Sequence, residues 1–143
     1  MTTDTDTTAA AQAASVKLVP MARVHLALTG YANSARRDAE ASRAALAHSA
    51  NTAQAQQLID LAREAAREEA AHRVYVGAVE VTTHALNLEY SSFDELERWV
   101  TDSLLQGADD TWSGRGNDDR RAIHDAQRDA YREVLRLVRR NQS

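Results

Sequence analysis

The chain has 143 residues, 43% of them hydrophobic and 27% charged, with five glycines, one proline and no cysteine. A chain of that size buries a core without covalent staples, and the missing cysteine excludes disulfides, thiolate catalysis and zinc–thiolate sites. A net charge of −4 supplies no global attraction for nucleic acid or an anionic membrane.

Scarce breakers and abundant alanine point to an all-α fold. No apolar run approaches the roughly 20 residues that span a bilayer. The opening "MTTDTDTTAAAQAAS" lacks the basic start and apolar centre of a secretion signal. The expected location is therefore cytoplasmic.

Residues 1–15 carry almost nothing to bury and read as a disordered N-terminal tail, leaving 16–143 as a single helical domain. Pro20 suits the first turn of a helix, where its missing N–H costs nothing. From there Met21, Val24, Leu28, Tyr31, Ala35, Ala39, Ser42 and Leu46 recur in steps of three and four, which predicts a helix over about 20–49. "HSANTAQ" reads as a turn, with Asn51 or Thr52 placed to cap the next helix.

The second helix, about 53–89, buries Leu58, Leu61, Ala62, Ala65 and Ala66 in its first half. Beyond His72 the apolar side becomes Val74, Ala78, Val81, Ala85 and Leu88, flanked by Tyr75, Val79 and Leu86. The stripe thus changes face, either because the helix bends around Gly77 or because its halves meet different partners. The β-branched residues of 73–83 also permit a strand. That strand would be apolar on both faces and carry Glu80 in one of them, so the helical stripe explains the pattern better.

Ser92 and Glu95 have capping-box spacing ahead of a third helix over about 92–106, with Phe93, Leu96, Val100 and Leu104 inward and Gly107 ending it. "GADDTWSGRGNDD" reads as the one substantial loop. A fourth helix, about 118–140, starts at Asn117 or Asp118 and buries Ile123, Ala126, Ala130, Val134, Leu137 and Val138. Short connections make neighbours antiparallel, so the expected architecture is a four-helix bundle led by a long helical hairpin.

Three sets of residues invite a chemical reading. Glu69 and His72 form an E-x-x-H pair, followed by Glu80 and His84, and such pairs supply ligands in ferritin-like di-metal bundles. His25 or Glu40 of the first helix could complete the set. However, one E-x-x-H unit stands where two are needed, and Glu69 to Glu80 spans about 16 Å of helix, too far for one centre. No cofactor is therefore expected.

Arg121, Arg128 and Arg132 recur along the last helix and could track phosphates, making a nucleic-acid-associated subunit an alternative. Asp125, Asp129 and Glu133 stand three residues before Arg128, Arg132 and Arg136, which neutralises much of that field. Trp112, in a polar loop, must tuck back or meet a partner. The absence of a nucleophile elbow or phosphate loop leaves a non-enzymatic interaction protein as the expected class: an adaptor, assembly or regulatory subunit. The long two-faced helix and the alanine-lined seam suggest a homodimer.

Overall fold

The computed structural model describes residues 2–113 and 118–142, with side chains for 18–107 and 119–142. Four helices fill it: α1 Thr2–Ser49, α2 Ala55–Asn87, α3 Asp94–Ser113 and α4 Asp118–Gln142. No strand occurs among the described residues, and 73–83 lies wholly within α2. The expected all-α bundle with its leading hairpin is what the chain forms.

Two helix boundaries differ from the sequence reading. Helix α1 begins at Thr2, not near 20, and takes in residues 2–15. Pro20 lies inside it: the proline φ is already helical, and the loss is one backbone hydrogen bond, set against an alanine-rich stretch that favours helix on the upstream side. Helix α3 runs through Gly107 to Ser113, so Trp112 lies on helical backbone and not in a loop. Glycine in a helix interior costs about 1 kcal/mol relative to alanine, which is not enough to stop a helix without a left-handed cap.

Cross-helix contacts fix the topology. His25 meets Thr82, Tyr31 meets Tyr75, and Ser42 meets Glu68, so α1 and α2 are antiparallel. Trp99 packs on Gly77 while His84 lies near Glu95, so α3 runs antiparallel to α2. Trp99 also meets Tyr131, and Glu97 meets Gln142, turning α4 antiparallel to α3. Helix α2 touches α1, α4 and α3, whereas no contact joins α1 to α3 among the described residues. The cross-section is therefore a rhombus, with α2 and α4 across the short diagonal and α1 and α3 at its far corners.

The spacing of the α2 contacts corrects the expected change of face. Glu68, Tyr75 and Thr82 are seven residues apart and all meet α1. Extending that 3.5-residue repeat gives one seam, Leu58, Leu61, Ala65, Glu68, His72, Tyr75, Val79, Thr82 and Leu86, along the whole helix. Ala62 falls off it and is exposed. Ala70, Val74, Ala78 and Ala85 form a second buried face, roughly a third of a turn away. Of these, Ala78 and Ala85 join Leu96, Val100, Val134 and Val138 in the central core. Helix α2 keeps its first face and adds another where α3 and α4 begin to cover it.

The ends of α2 are closed by local hydrogen bonds. The backbone N–H of Gln54 donates to Gln57 Oε1 at 3.2 Å, which does the capping expected of Asn51 or Thr52. At the other end Tyr90 N–H donates to the Ala85 carbonyl at 2.8 Å and Glu89 N–H to that of Leu86 at 3.1 Å. Those two bonds make a Schellman motif, with Glu89 at φ 58° in the position that glycine normally takes. At the start of α3 the Asp94 N–H donates to Ser92 Oγ at 3.1 Å, so Ser92 caps the helix through the residue two on, while Glu95 lies beside His84 and not back against Ser92.

Candidate interaction surfaces

The acid and histidine set of α2 is spread over different surroundings. Glu69 is half-buried, between Arg43 of α1 at 3.7 Å and Arg73 at 3.6 Å. The α1 group facing it is therefore a guanidinium, which satisfies its charge, and not a second carboxylate. His72 is half-buried on the seam, and Glu80 is exposed. His84 lies 3.9 Å from Glu95 of α3. His25 bonds Thr82 across the seam at 2.8 Å, while Glu40 is exposed. No three His, Asp or Glu side chains among the described residues converge as metal ligands would.

The His25–Thr82 contact has a defined donor. Thr82 is fully buried, and its hydroxyl lies 3.1 Å from the Ala78 carbonyl and 3.0 Å from that of Val79. Its single proton is taken by those acceptors, so His25 Nδ1–H donates to Thr82 Oγ1. The pair holds the hairpin in register near the core.

On α4, Arg121, Arg128 and Arg132 are exposed along the helix. Two of the three expected pairs form: Arg128 with Asp125 at 3.1 Å and Arg136 with Glu133 at 2.8 Å. Arg63 Nε–H donates to Asp119 Oδ1 at 2.8 Å and ties the start of α4 to α2. Helix α4 thus presents alternating charge, not a continuous positive strip. The side chain of Trp112 lies outside the described residues.

Sequence reasoning missed a groove between α1, α2 and α4. It has a volume of about 360 Å³ and is lined by Tyr31, Asp38, Glu68, Tyr75 and Glu133 among small residues. The two tyrosine rings lie 5.5 Å apart at 59°. Ser42 Oγ–H donates to Glu68 Oε2, across the hairpin. Partial burial raises the Glu68 carboxyl above its ordinary value; the Ser42 bond opposes that, and Glu64 and Asp38 add to it. The Tyr75 hydroxyl is likewise raised, first by burial and then by Glu133. The seven-residue spacing of Glu68, Tyr75 and Thr82 was the signal that could have found this wall.

The two most exposed large apolar side chains lie on the two outlying helices, Leu26 of α1 at 74% and Leu105 of α3 at 63% accessible, while Ile59 and Val76 of α2 are exposed to a lesser degree. Leu88 and Tyr90, about half exposed, sit at the corner between α2 and α3. Comparison with known proteins returns no matching family model, no matching curated protein and no matching solved structure.

Proposed function

We propose that the chain is a non-enzymatic interaction protein, an adaptor, assembly or regulatory subunit that works through the outer faces of its helices. The observation that supports this reading is the double apolar character of α1. Leu28 is fully buried in the core, whereas Leu26, on the opposite side of the same helix, is 74% accessible. The core covers only one of these sides. A large apolar side chain left in water on a regular helix gains free energy as soon as a partner covers it, at about 25 cal/mol per Å².

A second copy is a further partner, forming a twofold dimer in the cytoplasm through a face other than the Leu26 side. No helix among the described residues is long and apolar enough to cross a membrane. Affinity capture with wild-type, Leu26→Asp and Leu105→Asp baits tests the reading. A protein enriched by wild type and lost with either variant supports it; identical recovery by all three baits removes it. Light scattering across micromolar concentrations tests the dimer, which a constant monomer mass would exclude.

A further inference from the structure

Three glycines stand inside described helices, Gly30, Gly77 and Gly107, and only Gly77 has a neighbour that requires it. A Cβ on Gly77 would lie 2.6 Å from Trp99 Cζ2, so that glycine makes room for the indole. Among the described residues a Cβ on Gly30 would meet nothing within 4 Å, as at Gly107, but Gly30 lies in the middle of its helix and beside the most exposed leucine, Leu26. Glycine costs a helix interior about 1 kcal/mol relative to alanine, and the packing of this chain returns nothing for it at position 30. A local rule broken without internal compensation is the mark expected of a functional surface.

The surroundings of Gly30 identify that surface. Val19, Ala22, Leu26, Gly30 and Asn33 recur in steps of three and four, and every one is exposed. They cover about 21 Å of α1, on the side opposite Val24 and Leu28. Leu26 and Val19 supply apolar bulk, while Ala22 and Gly30 let another backbone approach closely. Asn33 ends the stripe with an uncharged amide, able to bond a polar group of a partner at that end. From Val19 to Arg37 the flanking charges have one sign, before exposed Asp38 and Glu40 reverse it. No Asp or Glu lies between Asp6 and Asp38, and Arg23, Arg36 and Arg37 are exposed on or beside the stripe. In a chain of net charge −4, this is a local basic surface.

We propose that the outer face of α1 from Val19 to Asn33 docks an amphipathic helix whose apolar seam is flanked by carboxylates, with the closest approach at Gly30. The proposal rests on the interaction reading above and names the chemistry of the partner. Leu26 and Val19 enter the partner's seam, and the arginines meet its flanking acids, which favours such a helix over others by charge. A second copy pairing through this same face is disfavoured. Paired in parallel register, Arg23 would face its own mate; paired antiparallel about Gly30, it would face Arg37. An anionic membrane fits less well, because two large apolar side chains, a polar Asn33 and no exposed aromatic ring on this stripe offer little to insert.

The test uses two labelled 28-residue helical peptides with the same leucine and alanine heptad seam, one flanked by Glu and its twin by Lys. Anisotropy with the full chain should show the Glu-flanked peptide binding at least about tenfold more tightly, with the preference weakening as salt rises. Leu26→Asp and Gly30→Gln should each weaken binding about tenfold. Gly30→Gln should leave the melting temperature unchanged or raise it, which separates a docking defect from a folding defect. Equal binding of both peptides, no binding of either, or full binding by Gly30→Gln would overturn the proposal. So would tighter binding to phosphatidylserine vesicles than to the peptide, or concentration-dependent dimerisation abolished by Leu26→Asp. If capture loses its partner with Leu26→Asp while neither peptide binds, the interaction reading stands and the acidic-helix assignment fails.

Discussion

Replacing Gly77 by alanine sets two effects of known sign against each other. Helix propensity favours alanine by about 1 kcal/mol. Against that, the new Cβ would lie 2.6 Å from Trp99 Cζ2 and 3.1 Å from Cη2, where carbon atoms normally rest at about 3.5–4.0 Å. The indole must therefore retreat by roughly 1 Å, and it is also held by Tyr131, 5.5 Å away in an edge-to-face pair. Overpacking of this kind costs about 1–3 kcal/mol, and loosening the aromatic pair adds about 0.5–1.5 kcal/mol. Packing outweighs propensity, leaving a net loss of about 1–3 kcal/mol and a fall in melting temperature of about 3–9 °C for a chain this long. Thermal and urea denaturation followed by helical circular dichroism would measure it. The decisive comparison is the same substitution in a Trp99→Leu background. With the indole gone, propensity alone remains and Gly77→Ala should become stabilising, by up to about 1 kcal/mol. An equal effect in both backgrounds, or a wild-type background stabilised by the alanine, would refute the assignment of Gly77 as the seat of Trp99.

At the end of α2, Glu89 holds a left-handed conformation at φ 58°. Glu89→Gly should stabilise by about 1 kcal/mol in urea denaturation, while Glu89→Ala, which keeps the Cβ, should change little. The raised Glu68 carboxyl means that the fold favours its protonated form, chiefly because of burial. As pH rises from the ordinary value of 4.5 through the raised one, the folded state holds more of this proton than the unfolded state, and stability falls. Glu68→Gln should accordingly raise the melting temperature at pH 7, with the gain fading towards pH 4; a gain that grows on acidification would contradict the assignment. Hydrogen exchange should be faster over residues 45–60 than over 74–85. The hairpin tip extends beyond the Arg63–Asp119 tie, and its seam residues Leu46, Leu58 and Leu61 are only half-buried. Uniform protection along α2 would show that the tip is no less stable than the centre.

What the sequence showed depended on how the signal was carried. Apolar periodicity reports one face per helix, and it worked where a helix has one: Met21, Val24 and Leu28 on α1, Leu96 and Val100 on α3, Val134, Leu137 and Val138 on α4. It failed on α2, whose two faces overlapped in the pattern and looked like one stripe that moved. Polar seam residues hid the continuity, because Glu68, His72 and Thr82 lie where a hydrophobic template expects leucine. The boundary misreadings at Pro20 and Gly107 have a shared cause. Each residue weakens a helix by a few kcal/mol at most, and flanking alanine or tertiary packing exceeds that. Among the candidate site residues, the ion pairs of Glu69 depended on which α1 side chain lies opposite, and no pattern within α2 encodes that.

The rhombic cross-section links these details to where a partner can act. Helix α2 has two faces inside the molecule, and with α4 across the short diagonal it is the shared wall of both halves. Helices α1 and α3 do not touch among the described residues, so each has a broad side that no other helix covers. The most exposed leucines, Leu26 and Leu105, fall on those two helices. Their flanking charges are opposite in character: arginines beside Leu26, but Asp94, Glu95 and Asp102 exposed along α3, with Arg98 among them. A substitution on the outer side of α1 therefore leaves the α2–α4 wall intact, and binding can be altered there without weakening the fold. At Gly77, by contrast, α3 is seated on α2, and any added atom is paid for in stability.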